Sequence, residues 1–402
     1  MRPALALAVA ALAGAPLAAQ SATPLPAIEG TAGAWKTMFE GVAFAQYDRQ
    51  NGSRGARQAG SLNWGMFMAS RDLGAGELQL RTMLSLDALG VGASGYPLLL
   101  QTGEEYRGQP LHDRQHPHDA FMELGASYRG RWSDSAGFSL YAAPVGEPAL
   151  GPVAFIMRPS AMDNPIAPIG HHWQDATHVS FGVLTAGIFS GSWKLDASWF
   201  NGREPDDQRW NFDPIRLDSW AGRISFAPDA SWSASASYGY LNSPEASAPG
   251  VSEHRATVSI AHGVAIGSEG EWSSTLIWGG NGRDGASLSN SGLFESEYSR
   301  DGRNSFIARG EYVQKTAAEL AVTPPPLGLP ASHLFDVGEI TLGYVREFAT
   351  WRTGTVGAGV LGTMNFVPAA LQPEYGSATP IGVVFFVRMR PRRTTMAPMN
   401  HM

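Results

Sequence analysis

Residues 112–119 read His-Asp-Arg-Gln-His-Pro-His-Asp, three imidazoles and three charged groups in eight positions. Pro117 holds the residue before it in extended backbone. In extended chain, side chains two apart share a side, so His116 and His118 can converge on one ion, with His112 completing the set from the turn before. Imidazole suits zinc, copper or nickel, and Asp113 or Asp119 can orient a ring through its second nitrogen. The spacing matches no established metal motif. Residues 147–175 form a second dense stretch, with Arg158, Asp163 and the adjacent pair His171 and His172. If extended, that pair points in opposite directions, so only one of the two readily faces a shared site. A third candidate is the tail, where Met396, Met399, His401 and Met402 fall within seven residues. Soft thioethers with imidazole select Cu(I) over hard cations; the alternative is a flexible basic end running on from Arg388, Arg390, Arg392 and Arg393.

What must position these groups is a chain poor in charge. Only 16% of its 402 residues are charged, 44% are hydrophobic, and cysteine is absent, whereas soluble domains average about 25% charged. A formal net charge of −7 without a basic cluster ahead of the tail excludes a nucleic-acid partner, which needs clustered Lys and Arg. Residues 1–20 carry Arg2, an alanine- and leucine-rich apolar run and then small residues. That is the layout of a secretory signal peptide, with an uncleaved anchor as the alternative. Beyond it no apolar run reaches the roughly 18 residues of a helical span.

Period-two alternation recurs instead. Trp193, Leu195, Ala197 and Trp199 alternate with Lys194, Asp196 and Ser198; Trp232, Ala234, Ala236, Tyr238 and Tyr240 alternate with Ser233, Ser235, Ser237 and Gly239. Met122, Leu124, Ala126, Tyr128 and Trp132 alternate with Glu123, Ser127, Arg129 and Arg131. A soluble sandwich or β-helix also alternates, but here apolar faces begin and end in Trp or Tyr, as at the two interfaces of a membrane barrel, and opposite faces are small or charged, suiting a wet lumen. His254 and His262 fall on or beside apolar faces, as interface positions rather than catalytic ones. About sixteen strands follow, with 14–18 as the range, the first near 35–47 and the last near 378–390. Segment 289–299 is included partly because it preserves an alternation of short and long connectors. The long connectors are 48–61, 87–118, 147–175, 202–216, 243–252, 282–288, 318–333 and 367–377. Tight turns on one side and extended loops on the other are the outer-membrane arrangement.

The expected architecture is therefore all-β, a transmembrane antiparallel up-and-down β-barrel over 35–390. A periplasmic segment, 21–34, precedes it and a flexible Met/His/Arg tail, 391–402, follows. From signal peptide, strand rhythm, loop asymmetry and final strand "TPIGVVFFVRM", the chain resembles the porin-type outer-membrane barrels of Gram-negative bacteria, although it continues past the terminal aromatic residue at which such barrels commonly end. The resemblance implies a place in the outer membrane, contact with its lipid, and association into homo-trimers. It implies passive passage of small hydrophilic solutes or ions, without a required cofactor. Glu104, Glu105, Arg107, Asp113, Arg114 and Asp119, with Arg158 and Asp163, are then expected at a charged constriction, the two dense loops packing against each other inside the mouth. A metal-binding outer-membrane protein, for copper or zinc, is the alternative; a closed structural or adhesin barrel is a third. Enzymatic activity is not expected: no Gly-x-Ser-x-Gly elbow or triad spacing occurs, and a lipid hydrolase stays open only as a minor reading.

Overall fold

The structure, a computed structural model, describes residues 26–392 apart from 247, 284, 285 and 327. The signal-peptide expectation and the tail with Met396, Met399, His401 and Met402 lie outside the described residues. Sixteen strands form the barrel. They are β1 (Trp35–Gln50), β2 (Arg57–Leu73), β3 (Gly76–Leu84), β4 (Phe121–Arg131), β5 (Ala136–Gly146), β6 (Ser180–Ser190), β7 (Trp193–Phe200) and β8 (Ser219–Phe226). They continue as β9 (Trp232–Leu241), β10 (Glu253–Ile266), β11 (Gly270–Arg283), β12 (Ser289–Ser299), β13 (Asn304–Thr316), β14 (Leu334–Thr350), β15 (Gly354–Phe366) and β16 (Ile381–Pro391). Each pairs antiparallel with its neighbour, and β16 closes on β1, from Ala43 opposite Met389 to Gln50 opposite Gly382. The segment at 289–299 is β12, paired along both edges. Within 21–34, Ala27–Ala32 adds a short strand to the start of β1, turning back at Gly33 with φ of 63°.

Why these segments become strands is visible in their faces. Leu195, Ile224, Val258, Leu276, Phe294, Ile340 and Phe385 point outward and stay exposed. Water would penalise so much contiguous apolar surface; lipid does not, and in lipid only a closed barrel satisfies every strand hydrogen bond. Trp193, Trp232, Trp272 and Trp351, beside the short turns, make one exposed girdle, and Trp199, Trp220, Trp278 and Tyr312 make the other toward the long loops. His254 and His262 belong to this outer face: His254 Nδ1 lies 2.7 Å from the Tyr238 hydroxyl, and the His262 ring packs 4.3 Å from that of Trp232. Among the described residues no helix is long and apolar enough to cross a membrane.

The inner face is only partly the expected wet lumen. Polar residues such as Asp196, Ser198, Arg255, Glu295 and Arg309 do point inward. But the connector before β4 and the one before β6 fold back into the barrel, and residues 158–180 are buried without interruption. Leu98, Leu99, Leu100, Ile166, Ile169 and Trp173 from these connectors pack on inward Phe44, Leu62, Val313, Val337, Leu361 and Val384, building an apolar core inside the cylinder. One alternation reading needs correction: Met122 lies inside, at 1% exposure, not on the lipid face. A register shift where Leu84 meets Phe121 but Met83 meets Glu123 inserts an extra residue there, and such a bulge reverses which side a side chain takes.

Candidate metal centre

Five histidines, four of them buried and His116 half-buried, meet where the two infolded connectors touch. His116 and His118 flank Pro117 just after a two-residue pairing of Tyr96–Pro97 with Arg114–Gln115. His171 and His172 open a helical turn, His171–Gln174, and His178 ends a 3-10 turn, Ala176–His178. The extended-chain reading of the adjacent pair is therefore corrected. Helical backbone turns successive side chains by roughly 100° rather than 180°, so His171 and His172 both reach the cluster. Ring centroids lie 5.1 Å apart for His171 and His172, 5.7 Å for His116 and His172, and 5.9 Å for His116 and His171. Two imidazoles bound to one tetrahedral ion through bonds near 2.0 Å place their centroids roughly 5 Å apart. One ligand nitrogen from each of these three rings lies within 4.8 Å of the others. His178 extends the group, 5.3 Å from both His171 and His118.

The hydrogen bonds orient every ring the same way. His118 Nδ1 is 2.7 Å from Asp87 Oδ2, His171 Nδ1 is 2.7 Å from Asp175 Oδ1, and His172 Nδ1 is 2.8 Å from Glu204 Oε1. His116 Nδ1 lies 3.2 Å from Glu104 Oε1, and His178 Nδ1 is 2.7 Å from the Asp175 carbonyl oxygen. A carbonyl or an ionised carboxylate only accepts, so a neutral ring facing one carries its proton on Nδ1 and a lone pair on Nε2; this holds for His171 against Asp175 and for His178 against the Asp175 carbonyl. All five Nε2 atoms are buried and have no hydrogen-bond partner among the described residues. Leaving a buried polar atom unsatisfied costs about 1–3 kcal/mol, and five such nitrogens together make this a candidate cation site.

Electrostatics keeps those donors ready. Burial lowers His171 to about 4, and His172 and His178 to about 3, with His116 also well below the ordinary range, so all four rings are neutral at pH 7. Burial raises Glu104 and Glu204 above the usual carboxylate range, against the pull of Arg209 on the first and Arg255 on the second. Asp175 goes the other way: burial would raise it, but Arg158 and His171 outweigh burial and hold it low.

The connectors are fastened to the wall by buried ion pairs. Arg158 donates from Nη1 to Asp175 Oδ2 at 2.7 Å and from Nε to Glu295 Oε1 of β12 at 2.6 Å. Arg309 of β13 donates to the other Glu295 oxygen at 3.2 Å and to the Ile166 carbonyl at 2.9 Å. Deeper, Asp163 pairs with Arg388 and Arg390 of β16. The connectors also bond each other: Gln101 donates to the Pro168 carbonyl at 2.9 Å, and the Ala167 amide donates to the Tyr96 hydroxyl at 2.9 Å. Gly103, with φ of 125°, runs so near His172 that a Cβ there would lie 2.4 Å from the ring. Gly103→Ala is expected to displace that ring and weaken cation binding at least about tenfold, the scale of a lost ring-orienting contact, as read by calorimetric titration.

Several sequence-predicted residues sit elsewhere. His112 is outside the cluster, its Nδ1 3.0 Å from Asp113 and beside Arg54. Neither Asp113 nor Asp119 orients a ring of the cluster: Asp113 meets His112 and pairs with Arg54 at 2.8 Å, and Asp119 pairs with Arg209 at 3.1 Å. The orienting groups are Asp87, Glu104, Asp175 and Glu204. Asp87 and Glu204 lie in connectors 31 and 32 residues from the rings they hold, so spacing carried no signal for them. His178, seven residues after His171, was legible only as another histidine of the same stretch. Of the residues expected at a constriction, Asp113, Asp119, Arg158 and Asp163 are buried, Glu104, Glu105 and Arg114 half-buried, and Arg107 exposed.

A pocket of about 420 Å³ opens above the rings, lined by Glu104, Glu105, Glu204, Asp206, Asp207, Asp213 and Glu245 against Arg203 and Arg216. Below, a cavity of about 30 Å³ is bounded by His116, His118, Asp87, Asn63, Asn164 and Met162. That is room for one or two water-sized ligands.

No protein-family model matches the chain, and no curated protein matches it by sequence. Solved structures do match in fold. The chain is similar to an anion-selective porin from Comamonas acidovorans, at 13% identity and TM-score 0.53, over 89% of this chain and 99% of that one. OmpF of Salmonella typhi, in complex with daunomycin, matches at 9% identity and TM-score 0.52, over 90% and 100%. The outer-membrane channel DcaP of Acinetobacter baumannii matches at 7% identity and TM-score 0.51, over 90% and 98%. With its lipid-facing band, closed ladder and two aromatic girdles, the chain folds as a sixteen-stranded porin-type β-barrel of the outer membrane.

Proposed function

We propose that this barrel captures a transition-metal cation, copper or zinc, from outside the cell on His116, His171 and His172, and offers it toward the lumen. The observation that carries this reading is the set of buried Nε2 atoms, unpartnered among the described residues, whose opposite nitrogens all face oxygen acceptors. Three imidazoles with open positions suit a borderline ion rather than Mg²⁺ or Ca²⁺, which prefer oxygen. The acidic pocket above raises the local concentration of cations. Glu104 and Glu204 belong both to that pocket and to the rings, so an arriving ion meets carboxylate before imidazole.

Titration of the purified detergent-solubilised protein with Zn(II) and Cu(II) tests this. Stoichiometric binding is expected in the wild type and none in a variant carrying His116→Ala, His171→Ala and His172→Ala. Equal binding by both proteins would refute the reading. The pH dependence follows from the carboxylates, because the rings are already neutral. A cation beside Glu104 and Glu204 lowers their raised pKa values, so binding expels their protons. Affinity is expected to climb with pH across the neutral range and level off once both are ionised. Glu104→Gln with Glu204→Gln should flatten that profile.

A second reading, a passive channel for small hydrophilic solutes or ions, is favoured by the porin fold and by the inward charges Arg129, Arg223, Glu271 and Glu297. In it Glu104, Asp119 and Arg209 form a mixed-sign constriction. Planar-bilayer conductance separates the two: a metal-capturing barrel loses or gates current on adding Zn(II), and a general channel does not respond.

A further inference from the structure

We propose that a second site, built of methionine sulfurs on the lumen wall, receives from the histidine cluster a soft cation that arrives already monovalent, Cu(I) or Ag(I), so that the transfer involves no change of oxidation state. This deepens the metal reading by naming its cargo.

Inward positions of a porin-type barrel are ordinarily polar. Here Met38, Met66, Met68, Met83 and Met122 point inward and are each at most 3% exposed. Their placement follows from the register. Met38 of β1 lies directly opposite Met68 of β2, and Met66 of β2 directly opposite Met83 of β3. Directly opposed residues have Cβ atoms about 5 Å apart, and Met66 and Met68 are two apart on one face. Four thioethers thus occupy adjoining positions on three strands, with Met122 packed beside them.

Methionine is often only a filler of irregular cores. A comparison within the molecule argues against that here. The larger luminal core, 26 buried residues around Leu98–Leu100 and Trp173, contains no methionine. The smaller one has five among its ten buried residues. Both are packed by infolded connectors against the same wall, so gap-filling alone would draw methionine into both.

The smaller core adjoins the rings. Val179, which follows His178, is one of its members, and Ile156 and Met157, which follow Phe155, pack on it. Phe155 itself lies 5.9 Å from His118 and 5.2 Å from His171. The cavity bounded by His116 and His118 reaches Met162 and Trp64, and Trp64 belongs to the methionine core. Thioethers bind soft ions and reject hard ones, and an uncharged ligand set favours one positive charge over two. Of the neighbouring charges, Glu40 lies opposite Met66, and Arg81, opposite Met68, is paired with Glu123 at 2.7 Å.

The test replaces sulfur without replacing volume. Leucine is close to methionine in size, a swap that cores usually tolerate, so Met38→Leu, Met66→Leu, Met68→Leu and Met83→Leu are combined in one full-length protein. The readouts are Ag(I) and Cu(I) bound per chain, Zn(II) bound per chain, and sulfur scattering in the copper X-ray absorption spectrum. The expected result is loss of one Ag(I) or Cu(I) equivalent and of Cu–S scattering, with Zn(II) binding unchanged. Retention of monovalent binding with the same affinity, or absence of Cu–S scattering in the wild type, overturns the inference while leaving the histidine site standing. Loss of Zn(II) binding in the wild type would instead overturn the histidine reading. Should the fourfold variant fail to fold, judged by its heat-dependent gel mobility, Met66→Leu alone decides: at least tenfold weaker Ag(I) binding is expected, and no change refutes the site.

Discussion

His171→Ala is expected to weaken Zn(II) or Cu(II) binding by on the order of 100-fold or more. Loss of a contact that merely orients a ligand costs 10–100-fold, and this change removes the ligand itself. His171 is fully buried and central: its ring is 5.1 Å from His172, 5.3 Å from His178 and 5.9 Å from His116. Asp175→Asn is the informative companion. It keeps an oxygen to accept from His171 Nδ1 but removes the negative charge, so it should fall within the 10–100-fold range. Calorimetric titration of both variants checks the ordering; equal losses would mean that Asp175 is itself a ligand.

Arg158→Ala is expected to release the connector between β5 and β6 from the wall. The guanidinium is 3% exposed and bridges Asp175 to Glu295, each 1% exposed. Removing one partner from a buried ion pair costs about 3–5 kcal/mol, because the other charge is left uncompensated. Here Asp175 loses its guanidinium partner, while Arg309 still holds Glu295. The sixteen-strand ladder does not depend on this contact, so the barrel should survive while the connector becomes cleavable. Limited proteolysis between 147 and 179, with unchanged circular dichroism, is the expected pair of results. Cation binding should fall in the same variant, since Asp175 orients His171. A connector that stays resistant would show that its apolar packing, not the ion pair, holds it in place.

These outcomes trace what can and cannot be read along a chain. Whether a strand faces lipid is decided by every second residue, so Trp193, Leu195 and Trp199 declared their side without knowledge of any partner. Connector lengths likewise announced which end carries the turns, and 289–299 followed from that alternation. Met122 escaped the rule because one extra residue in the ladder reverses the face locally, and period two carries no mark of it.

The site was legible only in its ingredients. Pro117 gave His116 and His118 a shared side by backbone preference, but their ring centroids stand 6.5 Å apart, and the close group is His116 with His171 and His172. No such preference served His171 and His172. Their convergence depends on a helical turn whose Trp173 donates its indole N–H to Ser289 on the barrel wall at 2.8 Å, more than a hundred residues away. Asp87 and Glu204 reach their rings across connectors that only the closed barrel brings together, and the methionine pairs exist only through the register of β1, β2 and β3. By itself the sequence determined the alternation, and through it the strands, the lipid face and the ends of the barrel, because those depend on neighbours one or two residues apart. The tertiary structure alone decided how deeply the connectors pack into the barrel and that five histidine rings gather where they touch. Those outcomes rest on buried charge pairs and apolar packing between segments far apart in the chain, and no local pattern encodes which distant groups will meet.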